Sequence, residues 1–143
     1  MSVKQISVFL ENKGGRLADV TKVLGEQNID MSALSIADTA NFGILRMIVN
    51  DPDRAESILK DNGYAVRLSE VLAIAVDDEP GALSKALEVL EKEGIEIEYI
   101  YAFIGKSENC ALVVLKVNDM DKAAALLADA QIRVLKEEEV YAL

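Results

Sequence analysis

The chain has 143 residues, 51% of them hydrophobic, with two prolines and one cysteine, so it carries enough apolar surface to bury a compact core and is not a disordered segment. Fifteen Lys plus Arg stand against 25 Asp plus Glu, a net charge of −10 that repels phosphate backbones and makes nucleic acid a poor partner. The absence of histidine excludes imidazole bases, histidine-ligated metals and Ser-His or Cys-His nucleophiles, and Cys110 alone forms neither an internal disulfide nor a thiolate cluster.

The N-terminal Met1-Ser2-Val3-Lys4-Gln5 lacks the apolar run of a signal peptide, and no segment reaches the ~20 apolar residues of a membrane span. The expected setting is the cytoplasm, with no membrane partner. Ile6, Val8 and Leu10 then alternate as a half-buried strand. A loop with Gly14 and Gly15 leads into a helix whose apolar stripe is Leu17, Val20, Thr21 and Leu24. Asn28 suits the left-handed residue that closes such a helix. A second strand is predicted over 29–38 and a third over Phe42–Val49, joined by a turn at Thr39-Ala40-Asn41. Asn50-Asp51-Pro52 opens a second helix, with aspartate as cap and proline in the first turn, and Ala55, Ile58 and Leu59 as its buried stripe. A fourth strand covers Tyr64–Leu68.

The same order then recurs. Residues 8–17 align with 74–83 at a shift of 66, which carries Val23-Leu24 onto Val89-Leu90 and Ile29-Asp30-Met31 onto Ile95-Glu96-Ile97. After a small insertion the shift becomes 68, so Val49-Asn50-Asp51 matches Val117-Asn118-Asp119. The predicted fold class is α+β: two tandem ferredoxin-like βαββαβ units with antiparallel sheets, residues 1–69 and 70–143. No linker separates them. The tail 138–143 echoes 70–75, which predicts an extra C-terminal strand along an open sheet edge.

In this motif helices cover one sheet face. Leu34 and Ile36, with Ile100 and Ala102, are expected to point toward the helices. The other face then carries Ala33, Ser35 and Ala37, and in the second unit Ile97, Tyr99, Tyr101 and Phe103. A solvated face would alternate with polar residues, so this one is expected to be covered, most simply by a second copy of the chain in a homodimer.

Both units place glycine between first strand and first helix. Free N–H groups at a helix N-terminus favour a carboxylate, and glycine lets it approach closely. Lys13 and Arg16 add positive charge to the first loop, whereas Asp77, Asp78 and Glu79 make the second one acidic. Cys110, Met31 and Met47 read as packing residues. Glu91, Glu93, Glu96 and Glu98 straddle a helix end and a strand, which suits a solvated surface better than a metal site. No cofactor is expected.

Asp78-Glu79-Pro80-Gly81-Ala82-Leu83, followed by Leu87, Leu90 and Gly94-Ile95, resembles the ACT domain. The first copy departs in having Gly14-Gly15 where that family has Pro-Gly, but keeps Asn28-Ile29 in the family's form. The resemblance covers nearly the whole chain as two tandem copies. It implies regulatory binding of a free amino acid at an interface between ACT units, without catalysis. The implied ligand residues are Asn12, Lys13, Gly14, Gly15, Arg16, Leu17, Asn28, Ile29 and Asp30 in the first unit. Their second-unit counterparts are Asp78, Glu79, Pro80, Gly81, Ala82, Leu83, Gly94, Ile95 and Glu96. N–H groups near Gly15 and Leu17 would hold the α-carboxylate, and Asn12, Asn28 or Asp30 would accept from the ammonium group. Gly94 lacks asparagine's polar group, which makes the first loop the better site. The same resemblance allows a regulatory subunit of a biosynthetic enzyme such as acetohydroxyacid synthase. An acylphosphatase-like hydrolase would need Arg16 and Asn41, which lie on different connections.

Overall fold

The computed structural model describes residues 2–11, 14–38, 42–105 and 109–143. The expected turn at Thr39-Ala40-Asn41 lies outside them, and of the corresponding turn expected in the second unit, Lys106-Ser107-Glu108-Asn109, only Asn109 is among them. In chain order the first elements are β1 (Val3–Glu11), α1 (Arg16–Glu26), β2 (Met31–Asp38), β3 (Phe42–Val49), α2 (Pro52–Asp61) and β4 (Ala65–Asp77). There follow α3 (Ala82–Lys92), β5 (Ile97–Ala102), β6 (Cys110–Val117), α4 (Met120–Asp129), β7 (Arg133–Val134) and α5 (Glu137–Tyr141). This is βαββαβ twice, with the 13-residue β4 serving as last strand of one unit and first of the next. Two compact units result: Lys4–Ser69 with Tyr141–Leu143, and Glu70–Val140 with the N-terminal residues through Val3. Among the described residues no helix is long and apolar enough to cross a membrane.

In the first unit the strand order is β2-β3-β1-β4, with β1 and β2 both antiparallel to β3. In the second it is β7-β4-β6-β5, again antiparallel throughout. Two helices cover one face of each sheet. In the first unit Ile6, Val8 and Leu10 of β1 and Leu45, Met47 and Val49 of β3 pack with Val20, Leu24, Ile29, Ala55 and Leu59. The second core is Leu72, Ile74, Val76, Val113, Leu115 and Val117 with Ala86, Leu90, Ile95, Ala123 and Leu127. These are the same eleven positions, at the shifts of 66 and 68 found in the sequence.

Helices α2 and α4 are capped as their sequences predict: Asp51 accepts from the Arg54 N–H at 3.3 Å and Asp119 from the Lys122 N–H at 3.1 Å. Leu17 departs from its predicted place in the α1 stripe, being 37% exposed at the helix start.

The open faces are partly as expected. Leu34 packs on the first core, and Ile36 opposes Leu45 on the same side. Ile97, however, packs on the helix-side core rather than beside Tyr99 and Tyr101. The register of β5 against β6 shifts between Ile97 and Tyr99, and a bulge of one residue inverts the facing of everything before it. Ala33, Ile48, Phe103 and Val114 are already buried within the single chain, while Tyr99 and Tyr101 remain half-buried with stacked rings 6.4 Å apart.

The tail takes a different form from the extra strand its echo predicts. After the short strand β7, residues Glu137–Tyr141 form helix α5. Three glutamates fill its first turn, where the helix dipole favours negative charge. Glu139 reaches back to accept from the Lys136 N–H at 3.2 Å and pairs with Arg133, a side-chain arrangement that a strand could not hold. Val140 is buried, and the Tyr141 hydroxyl accepts from the Lys4 N–H at 3.0 Å.

Candidate functional site

Four helices begin in two different ways. α2 and α4 are closed by aspartate, but α1 and α3 follow glycine and carry no side-chain cap among the described residues. Gly15 and Gly81 sit at φ +86° and +88°, the left-handed region that costs a side chain roughly 1–2 kcal/mol. A Cβ built on Gly14, Gly15 or Gly81 would meet nothing within 4 Å, so both helix N-termini are open to the surface. Uncapped N–H groups with the positive end of the helix dipole behind them attract a carboxylate.

Beside the α1 N-terminus lies a cleft of about 380 Å³, in the range that holds a small ligand. Its walls are the end of β1 (Phe9–Glu11), Arg16, Phe42 at the start of β3, and the turn from α2 into β4 (Asn62–Ala65). The Arg16 guanidinium lies 3.8 Å from the Glu11 carboxylate, beyond hydrogen-bond length, and both side chains are substantially exposed. Such a pair adds little to stability, and the same guanidinium also reaches the Tyr64 hydroxyl, so a ligand carboxylate would compete for an exposed donor group. The Tyr64 hydroxyl donates to the Asp19 carboxylate in a short contact. Burial, and then that carboxylate, push the Tyr64 pKa above its ordinary value, with the nearby Arg16 guanidinium opposing the shift. Phe9 and Phe42 complete the cleft with ring centroids 6.2 Å apart and planes tilted by 59°.

The second unit has a cleft of about 310 Å³ at the matching place. Ala75, Val76 and Asp77 replace Phe9, Leu10 and Glu11, and Ala130, Gln131 and Ile132 replace Asn62, Gly63 and Tyr64. Ala82 stands for Arg16 and Lys85 for Asp19. The frame is repeated, but the aromatic rings and the arginine are not.

Of the residues named from the sequence, Asn12 and Lys13 lie outside the described residues, as does Asn41 of the hydrolase reading. Gly14 and Gly15 form the turn, Arg16 lines the cleft, and Leu17 is exposed on α1. Asn28 adopts φ +61° after α1, as its type suggests. Ile29 is 4% exposed and belongs to the core. The Asp30 N–H donates to Asn50 Oδ1 at 2.9 Å, which fixes the entry to β2. None of these three lines the cleft.

In the second unit Glu79 and Ala82 line the cleft, and Asp78, Pro80 and Gly81 make its exposed turn. Leu83 packs on the core, Gly94 sits at φ +78°, and Ile95 is buried. Glu96 repeats Asp30, its N–H donating to Asn118 Oδ1 at 3.0 Å. Sequence reasoning passed over Phe9, Asp19, Phe42 and Tyr64. Their signal was present as the contrast between copies, since Ala75, Lys85, Cys110 and Ile132 occupy the matching positions.

The family model of the ACT domain pair matches residues 1–143. A crystal structure of a protein from Bacteroides thetaiotaomicron is similar at TM-score 0.93 and 47% identity, covering 100% of this chain and 98% of that one. The ligand-free regulatory subunit of aspartate kinase from Thermus thermophilus is similar in fold, with TM-score 0.69, 18% identity and 90% of each chain covered. Its counterpart from Thermus flavus gives TM-score 0.61 at 18% identity, over 87% of this chain and 88% of that one. No curated protein matches the chain.

Proposed function

We propose that this chain, which belongs to the ACT domain pair family, is a non-catalytic regulatory protein that binds a free amino acid at the start of α1 in its first unit. The observation that carries this reading is a cleft of ligand size whose wall includes Arg16, the first residue of the helix that follows Gly15. A free α-carboxylate would take the N–H groups after Gly15 together with the Arg16 guanidinium, a charge-assisted and bidentate arrangement. Its ammonium group would face Glu11, whose carboxylate lies on the same wall. Asn28 and Asp30 do not line this cleft and are assigned no contact in it. The effect on a regulated enzyme, or on self-association through the half-buried Tyr99 and Tyr101 face, would follow from occupancy of this site.

The test is thermal unfolding of the purified chain against the twenty amino acids, with calorimetry on hits. A ligand selective for the folded state, at 100 times its dissociation constant, adds about 2.7 kcal/mol of stability. A selective stabilisation that disappears in Arg16→Ala supports the reading. A flat panel removes it.

A further inference from the structure

The first unit's cleft has two chemically distinct ends. Arg16, Glu11 and the α1 N-terminus suit the charged end of an α-amino acid. The other end is built from Phe9 and Phe42, two rings in contact that are 38% and 40% exposed. The fold does not require aromatic residues there. All eleven core positions agree between the units, and the second unit makes the same strands and the same turn with Ala75 and Cys110 in place of the rings. It also starts its helix with Ala82 in place of Arg16. The rings and the guanidinium were therefore placed together where neither packing nor turn geometry asks for them, on the walls of a cavity of ligand size.

We infer that the first unit's cleft selects an α-amino acid with a large apolar side chain, an aromatic one foremost, and that each chain binds one such ligand because the second cleft lacks the arginine and both rings. This rests on the amino-acid reading above and adds the side-chain class and the stoichiometry. A tilted pair of rings offers an edge and a face to a third ring, which adds to the burial of apolar area. A carboxylate side chain would meet Glu11 and lose its water against the two phenyl groups. A methyl side chain would leave the rings uncovered.

Calorimetric titration of the full chain with phenylalanine, leucine, alanine, aspartate and lysine decides the matter. Phenylalanine is expected to bind tightest, at least roughly tenfold above alanine, with one site per chain. Phe9→Ala and Phe42→Ala are each expected to weaken phenylalanine binding by about tenfold and to leave alanine binding nearly unchanged. Both side chains are partly exposed, and the ligand-free melting temperature of each variant checks that the fold is intact. Aspartate or lysine binding as tightly as phenylalanine, indifference to both substitutions, or two equal sites per chain would overturn the inference while leaving amino-acid binding in place. Failure of every amino acid to bind would overturn both.

Discussion

The two units share a core and differ in a cleft. Val20 corresponds to Ala86 in the repeat and Met47 to Leu115, so volumes trade slightly, but each of these eleven core positions stays apolar. The clefts keep their outline and lose their chemistry, as Phe9, Arg16, Phe42 and Tyr64 give way to Ala75, Ala82, Cys110 and Ile132. Charge follows the same division. The first 70 residues carry a net −2 and the remaining 73 a net −8. A core is held to its pattern by packing, and each lost methylene is felt. The surface of a cleft answers only to what it touches. Within one chain, the second unit thus acts as a control for the first, separating what the fold needs from what the ligand would need.

The sharpest test of equivalence lies in the cores. Leu24→Ala and Leu90→Ala remove matching, fully buried side chains, and each is expected to cost about 3 kcal/mol in urea unfolding. Losses that differ by more than about 2 kcal/mol would show that the shared pattern conceals unequal packing.

The clefts should break that symmetry. Arg16→Ala is expected to lower amino-acid affinity by about 2 kcal/mol, the scale of a hydrogen bond to a charged group, with little change in stability. Removing the Lys85 side chain, which lines the second cleft, should leave that affinity untouched. Equal effects in calorimetry would mean that both clefts bind, and the contrast drawn between them would fall.

The glycine turns lie between these cases. Gly15→Ala and Gly81→Ala force a side chain into the same left-handed backbone, so each should cost roughly 1 kcal/mol of stability. Only Gly15→Ala should also weaken ligand binding, because its turn immediately precedes Arg16, which lines the first cleft.

The strand and helix order was legible because the core repeats. Alternation in Ile6, Val8 and Leu10 and the Asp51-Pro52 cap are local signals, and the duplication confirmed each one independently. The bulge before Tyr99 was not legible, since one inserted residue leaves composition unchanged while inverting the facing of Ile97. Nor was the tail helix, whose glutamates resemble a soluble strand edge until Glu139 finds the Lys136 N–H. Of the site, the loop glycines and Arg16 were readable from type and spacing. Phe9, Asp19, Phe42 and Tyr64 come together only through tertiary contacts, from β1, α1, β3 and the turn before β4.

The smallest expected effect is also the most specific to one unit. Tyr64 has a raised pKa, caused first by burial and then by its bond to Asp19, whereas Ile132 has nothing to ionise at the matching position. A raised folded-state value means that the folded protein holds the proton more tightly than the unfolded chain. The stability this contributes is fully present below the unfolded value of ~10 and is lost as pH rises through the higher folded value. Tyr64→Phe should therefore flatten part of the alkaline decline in stability and leave the curve near neutrality parallel to the original. Identical slopes above pH ~10 would show that neither burial nor the Asp19 bond raises this pKa in solution. A ligand carboxylate bound at Arg16 would engage the one neighbour that lowers this pKa and bring a further negative charge to the cleft. Tyrosine titration with ligand present should then move to still higher pH, and a binding event confined to the second unit could not cause that movement.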